Sequence, residues 1–393
     1  MQNILLLFGG KSFEHDISII TALIVKNQYK LGKFNIIPVY ITKNNEWFYF
    51  SKQDLNINMF KDFEQKYKQN GFIPCYLKMG QNYLFFKKGL FENKIEISGA
   101  LNCCHGGQGE NGTICSIIEN SAIPVSAGSH TGHGICMDKI LSKAIFKGLG
   151  IPCLPWLSVE KQNFENQREQ TFKNIEKFGF PVILKPATLG SSIGIEVVKE
   201  VSELENALKV AFEFEDKILI ERAVLDNMKE YNVACLRLNG ETIVSEIDKP
   251  LRKDEILSFK DKYIGDSNQL PSKQNNLKQK APSKSGATYL GQSKTFPAQV
   301  PEKIARKLKD ISKQIYENLD LFGPARIDFI VDKKNNVYLN EINSIPGSLA
   351  YYFFVPSHFK TMSEYVDKII DESINVFTKK SKIKKEFITN LIK

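Results

Sequence analysis

Nowhere in the 393 residues is there an apolar run approaching the roughly 20 that a membrane span requires. The early run Ile4 to Phe8 is short and has no basic segment ahead of it, which argues against a secretory signal. A soluble, cytoplasmic protein with no membrane partner is expected. Paired cysteine spacing is also missing. The seven cysteines, Cys75, Cys103, Cys104, Cys115, Cys136, Cys153 and Cys235, are odd in number and read as reduced thiols. Cys103 and Cys104 beside His105 lack a second ligand pair at zinc spacing, so they read as buried strand residues. A basic face with interleaved aromatics is absent too. Of the net charge of +9, six lysines and one aspartate put +5 between Lys262 and Lys294, and six lysines and one glutamate put +5 between Lys379 and Lys393. One polar loop and one tail therefore hold the excess, which excludes duplex binding and any nucleic-acid partner. What is there is ordinary globular composition, 42% hydrophobic and 25% charged, enough for two or three domains.

Asn3 to Phe8 predicts a buried strand, Gly9-Gly10 a turn, and His15 to Val25 a helix; Phe34 to Ile41 adds a second buried strand, completing a βαβ opening. Residues 44–98 alternate aromatics with Asn, Lys and Gly, the pattern of short antiparallel strands. A strand at 97–104 leads into a Gly-rich segment and a helix ending near Asn120. Strands are expected at 154–158, 181–184, 193–198 and 217–221, with helices at 165–178 and 202–213 between them. Strands at 232–238 and 242–247 precede a long polar segment at 265–291, which by its length reads as a lid or a structureless stretch. A helix at 300–318, strands at 326–331 and 336–342, and a helix at 362–377 complete the chain.

Arg326-Ile327-Asp328 on one strand and Glu341-Ile342-Asn343 at the end of the next form the strongest chemical signal. Alternation puts Asp328 on the face of Arg326 and Asn343 on that of Glu341, so neighbouring strands can bring three oxygen ligands together, the set that holds Mg²⁺ beside a nucleotide. A sheet-edge ion pair is the plainer alternative. Lys185 ends a strand just before Gly190-Ser191-Ser192-Ile193-Gly194; such a loop can turn backbone N–H groups onto phosphates while the lysine supplies a point charge, or it can be a simple hairpin. It is not a Walker A loop, because the order of residues differs. Glu221 and Glu230 sit at strand ends, where carboxylates are either solvated or turned to ribose hydroxyls. Glu14 reads as a favourable first-turn acid, with Ser12 as the cap, or as an anchor for a substrate ammonium. His105 reads as a satisfied core histidine or as a residue facing a ligand.

In order, FGGKSFEHDIS (8–18), HGGQGENGT (105–113), MDK (137–139), ILKPATLGSSIG (183–194), LIER (219–222), DKY (261–263), RIDF (326–329) and NEINSIPG (340–347) resemble the D-alanine:D-alanine ligases of the ATP-grasp superfamily. The resemblance spans about residues 3–377. It implies an α/β ATP-grasp fold: an N-terminal parallel-sheet substrate domain (1–127), a central subdomain (128–219), a catalytic subdomain (220–378) with a lid at about 260–291, and a basic tail (379–393). It also implies an ATP-dependent carboxylate-amine ligase working through an acyl phosphate in a cytoplasmic homodimer, with ATP and two Mg²⁺ ions (Mn²⁺ as a substitute) and amino-acid substrates.

Carried over by residue, Lys139, Lys185 and Lys262 would contact phosphates or adenine, with Ser191 and Ser192 in the phosphate loop. Glu221 would lie at the adenine beside the backbone from Arg222 to Val224, and Glu230 would hold the ribose. Glu341 would bridge the metals, with Asp328 and Asn343 completing the set. Glu14 would hold the first ammonium, His105 would lie near its carboxylate, and Arg326 with the Gly347 N–H would stabilise the oxyanion. Tyr263, Ser191 and Glu14 would form the link that closes the lid.

The departures fall on the acceptor side. Family members that make D-alanyl-D-alanine usually carry a Met-Thr-x-x-Ser-type stretch after Pro-Gly, whose Ser helps bind the second carboxylate. This chain has Ser348-Leu349-Ala350-Tyr351-Tyr352, with Tyr352 at the Ser position. Asn111 also stands where an Asp is usual, and the lid is long and lysine-rich. A different amine acceptor, another amino acid or an amino sugar, is the alternative expectation.

Overall fold

The computed structural model describes residues 1–52, 54–224, 227–250 and 294–384. The expected lid at about 260–291, Lys262 and Tyr263 within it, and the tail after Lys384 lie outside the described residues. Among the described residues, seventeen strands form three sheets.

The first sheet contains β1 (Asn3–Gly9), β2 (Asn35–Ile41), β3 (Trp47–Phe50), β4 (Phe72–Lys78), β5 (Gln81–Lys88), β6 (Phe91–Glu96), β7 (Gly99–Asn102) and β8 (Val125–Ser126), in the order β6-β5-β4-β3-β2-β1-β7-β8. β1 runs parallel to β2 and to β7, and β7 parallel to β8. Ile4 to Phe8 are fully buried, which is why this strand reads as a continuous apolar run rather than an alternation. From β2 to β6 the pairing is antiparallel, so the aromatic-rich stretch forms a meander on the parallel centre.

The second sheet, in the order β11-β10-β12-β9, is built from β9 (Trp156–Glu160), β10 (Val182–Pro186), β11 (Glu196–Val198) and β12 (Lys217–Arg222), all antiparallel. The helices Arg168–Phe178 and Val201–Ala211 cover it; Ile175, Leu204 and Leu208 share a core with Val182, Leu184 and Ile220. The third sheet has β13 (Lys229–Leu238), β14 (Glu241–Pro250), β15 (Lys294–Thr295), β16 (Ala325–Val331) and β17 (Val337–Asn343) in the order β15-β14-β13-β16-β17. Helix Glu302–Asn318 lays Ile304, Leu308, Ile311 and Ile315 on it, the helical spacing that buries one stripe.

Helix Met362–Ser381, capped by the Thr361 hydroxyl on the Glu364 N–H at 3.1 Å, returns to the beginning of the chain. Its Tyr365, Val366, Ile369 and Ile370 join the core of the first sheet. A helix at His130–Met137 lies in a Gly- and His-rich stretch; the Ser129 hydroxyl caps it through the Gly132 N–H at 3.0 Å. Among the described residues no helix is long and apolar enough to cross a membrane.

Candidate active site

Antiparallel pairing of β16 with β17 sets Asp328 opposite Glu341 and Arg326 opposite Asn343. Arg326 donates from Nε and Nη2 to the two oxygens of Asp328, both at 2.7 Å, a fork-on-carboxylate geometry. Asn343 Nδ2 donates to Asp328 Oδ2 at 3.0 Å, which turns its amide oxygen the other way. The donor set at these strand ends is two carboxylates and an amide, all oxygen, and suits a hard cation. Among the described residues there is no group of three or more His, Cys, Asp or Glu placed to hold a metal, so such an ion would draw further ligands from a phosphate or water.

The central sheet meets this edge through Lys185. Its Nζ donates to Glu221 Oε2 at 2.6 Å and to Asn340 Oδ1, on β17, at 3.2 Å. Glu221 is wholly buried between Lys185 and Lys143, the latter reaching it from helix Lys139–Gly148. Burial alone would push the Glu221 carboxyl up, but the two ammonium groups hold it below the ordinary carboxylate range; burial would lower Lys185, but Glu221 keeps it raised. At the first position of the same helix, Lys139 donates from Nζ to the Leu189 carbonyl and from its N–H to the Ala187 carbonyl at 2.9 Å, fixing the loop between β10 and β11. The Thr188 N–H and hydroxyl clamp that loop to Glu215 at 2.7 and 2.8 Å. Ser191 and Ser192, at φ 55 and 61, curl its tip in the left-handed region. The Arg222 guanidinium is spent on the Phe178 and Phe180 carbonyls, both at 3.3 Å. Val224 follows two residues on, and Glu230 lies on β13 opposite Ile330.

The loop tip reaches the first domain, where the Ser191 hydroxyl donates to Glu14 Oε1. Two glycines make room for that carboxylate: a Cβ on Gly106 would lie 2.6 Å from Glu14 Oε2, and one on Gly190 2.9 Å from it. The Glu14 N–H donates to the Ser12 hydroxyl at 3.2 Å, just before the helix. His105 is buried, with Nε2 sharing a 2.8 Å hydrogen bond with the Thr21 hydroxyl, which also accepts the Ser348 N–H at 3.3 Å. Burial pushes the His105 imidazole down although Glu14 pulls it up. Glu110 accepts the Gly106 N–H at 2.9 Å and the Ile345 N–H at 3.0 Å, tying the first domain to the loop that carries Gly347. Burial first, then Glu14, drives its carboxyl up to about 8.

After Gly347 the residues Ser348, Leu349 and Ala350 all adopt φ near +50, a single left-handed turn that costs of order 1 kcal/mol or more at each position and that packing of the buried loop must offset. Tyr351 packs on Tyr365 with ring centroids 5.3 Å apart, while the Tyr352 hydroxyl donates to Asp248 Oδ2 at 3.3 Å and its ring meets Phe296. Desolvation, with Asp248 adding to it, holds that phenol well above its ordinary range, so it stays a donor.

One cavity is lined by Glu14, Glu110, Lys139, Glu341, Asn343 and Ser344, joining strands of the third sheet to the first domain. The anticipated residues Glu14, Ser191, Lys139, Lys185, Arg326, Asp328, Glu341 and Asn343 thus belong to one neighbourhood. Lys262 and Tyr263 lie outside the described residues. Sequence reasoning missed Lys143, Thr21, Asn340 and Asp248 as participants; Lys143 carried a faint signal, standing one helical turn after Lys139 on the same face.

A lysine-bearing loop on a small antiparallel sheet, closing on two carboxylates and an amide at the end of a second one, defines an ATP-grasp ligase. The solved D-alanine-D-alanine ligase of Helicobacter pylori is 28% identical, with a TM-score of 0.71 over 95% of this chain and 98% of that one. The VanG D-Ala:D-Ser ligase of Enterococcus faecalis, 23% identical, has the same fold, with a TM-score of 0.72 over 96% and 99%. Residues 3–128 match the family described as D-ala D-ala ligase N-terminus, and 145–284 and 284–375 match D-ala D-ala ligase C-terminus. A curated D-alanine--D-alanine ligase of Thermosipho melanesiensis is 33% identical over all of this chain and 99% of its own length. The chain belongs to the D-alanine:D-alanine ligase family and is an ATP-dependent peptide ligase.

Proposed function

We propose that this ligase joins two D-alanine molecules and so supplies the dipeptide for peptidoglycan synthesis, acting in the cytoplasm as a homodimer. The observation that carries the reading is the set Arg326, Asp328, Glu341 and Asn343 facing Lys185 across Asn340. A carboxylate is a poor acyl donor, so transfer of the terminal phosphoryl group of ATP, releasing ADP, makes an acyl phosphate, and the amine of the second amino acid attacks it and expels phosphate.

In this reading Lys139, Lys185 and Lys262, with Ser191 and Ser192, hold the phosphates; the backbone from Arg222 to Val224 receives the adenine next to Glu221, and Glu230 holds the ribose. Asp328, Glu341 and Asn343 hold Mg²⁺, whose chemistry when bound is to neutralise the phosphoryl oxygens during transfer. Glu14 binds the first ammonium and His105 lies by its carboxylate. Arg326 and the Gly347 N–H meet the oxyanion that forms on attack. The acyl phosphate would hydrolyse in open water, so the reaction needs a closed site; Tyr263, which lies outside the described residues, is the partner that the family resemblance assigns to Ser191 and Glu14 for that closure.

Ser348, Tyr351 and Tyr352 line the acceptor side. Tyr352 in place of the usual Ser favours one second reading, the same chemistry with another amine as acceptor. The test is phosphate release from ATP and Mg²⁺ with D-alanine alone, with mass spectrometry of the product. D-Alanyl-D-alanine is expected. Phosphate without dipeptide would transfer the assignment to a different acceptor, and no phosphate would overturn D-alanine as the donor.

A further inference from the structure

Helix Lys139–Gly148 carries two inward lysines one turn apart, and only the first belongs to the family motifs quoted above. The second, Lys143, is 1% exposed at its side chain and ends on Glu221, itself 1% exposed. A fully buried ammonium is costly unless it is paired. Glu221 already has a partner in Lys185, so a second lysine is not needed to neutralise it. What Lys143 changes is the sum: Lys143, Glu221 and Lys185 together carry +1, whereas Glu221 and Lys185 alone would carry none. Lys185 spends two of its three donors on Glu221 and Asn340, which leaves one N–H for a ligand atom.

We propose that Lys143 is a positioning residue for the nucleotide: by neutralising Glu221 from behind, it lets Lys185 meet the phosphates with its charge uncancelled, while Glu221 keeps the Lys185 ammonium aimed. This rests on the reading of Lys185 as a phosphate contact. Lys143 acts through Glu221 and touches no substrate. The effect therefore grows with the charge of the ligand.

The experiment is calorimetric titration of the full chain with ADP and, separately, with adenosine. Lys143→Met should weaken ADP about tenfold or more, as removal of one nearby unit charge from a poorly screened site does, and at least about fivefold more than it weakens adenosine. Lys143→Arg keeps a cation behind Glu221 and should hold ADP within about threefold of wild type. It also leaves the buried carboxylate paired, so it remains informative if Lys143→Met alone fails to fold. Equal weakening of ADP and adenosine in Lys143→Met, or a roughly tenfold loss of ADP in Lys143→Arg, would mean that Lys143 only supports the packing of β12 and would overturn the proposal. Lys185→Met separates the two levels of argument. If it binds ADP like wild type, the phosphate contact itself is wrong; if it loses ADP while Lys143→Met does not, the Lys143 role alone falls.

Discussion

At the first-domain wall of the site Glu14 and Glu110 are buried beside one another, and Glu110 is held protonated well above the ordinary carboxyl range. On the central sheet Glu221 is buried at least as deeply, yet the ammonium groups of Lys185 and Lys143 hold it ionised. Desolvation is the first cause at both positions and pushes both the same way. The neighbours decide the sign: a second acid at Glu110, two cations at Glu221. One wall of the site thus gathers acids, and the other a net positive charge.

The comparison breaks most sharply at the strand ends between the two sides. Glu341→Gln should lower turnover by at least about 10³-fold with the fold intact. Wild-type phosphate release from that variant would remove Glu341 from the metal site. Next in size is stability. Glu221→Ala strands two buried ammonium groups and should cost about 3–5 kcal/mol in urea unfolding, whereas Glu110→Gln, which exchanges a neutral acid for a neutral amide, should cost about 1–2 kcal/mol through a disturbed N–H contact. Equal costs would mean the two carboxyls are not in opposite states.

The pH dependence sharpens the same contrast. The unfolded chain releases the Glu110 proton near the ordinary 4.5 and the native protein near 8, so Glu110 makes stability fall as pH rises through that window and contributes no further change above it. Glu221, depressed in the native state, stabilises above its ordinary value and loses that contribution on acidification. Glu110→Gln should therefore flatten the decline between about pH 4.5 and 8 and leave the acid limb in place, as read by urea midpoints across pH. An unchanged slope would place the proton elsewhere. The smallest effect is expected at the acceptor: Tyr352→Phe removes one hydrogen bond to Asp248 and should change the acceptor KM by no more than about tenfold, with kcat held. A loss confined to kcat would move Tyr352 from the acceptor to the chemistry.

Much of this site was legible along the chain because its parts are local. Alternation on two short strands was enough to expect Arg326, Asp328, Glu341 and Asn343 at one edge, and antiparallel register joins them there. The apolar run of β1 and the helical stripe of Ile304, Leu308, Ile311 and Ile315 likewise announce their burial through spacing. Lys143 was not legible as a partner of Glu221, since a lysine on an amphipathic helix ordinarily faces water. Nor was Glu110, whose acceptance of the Ile345 N–H spans 235 positions of sequence.

What the chain determined by itself is therefore what near neighbours can encode: strand and helix periods, the left-handed turn requirements of glycine, and the residue types that phosphate and metal chemistry need. Only the tertiary structure decided which acids are protonated and which lysines are balanced. Charge states depend on desolvation and on distances of a few ångströms between groups far apart in sequence, and both come into being only when the three sheets close on one another.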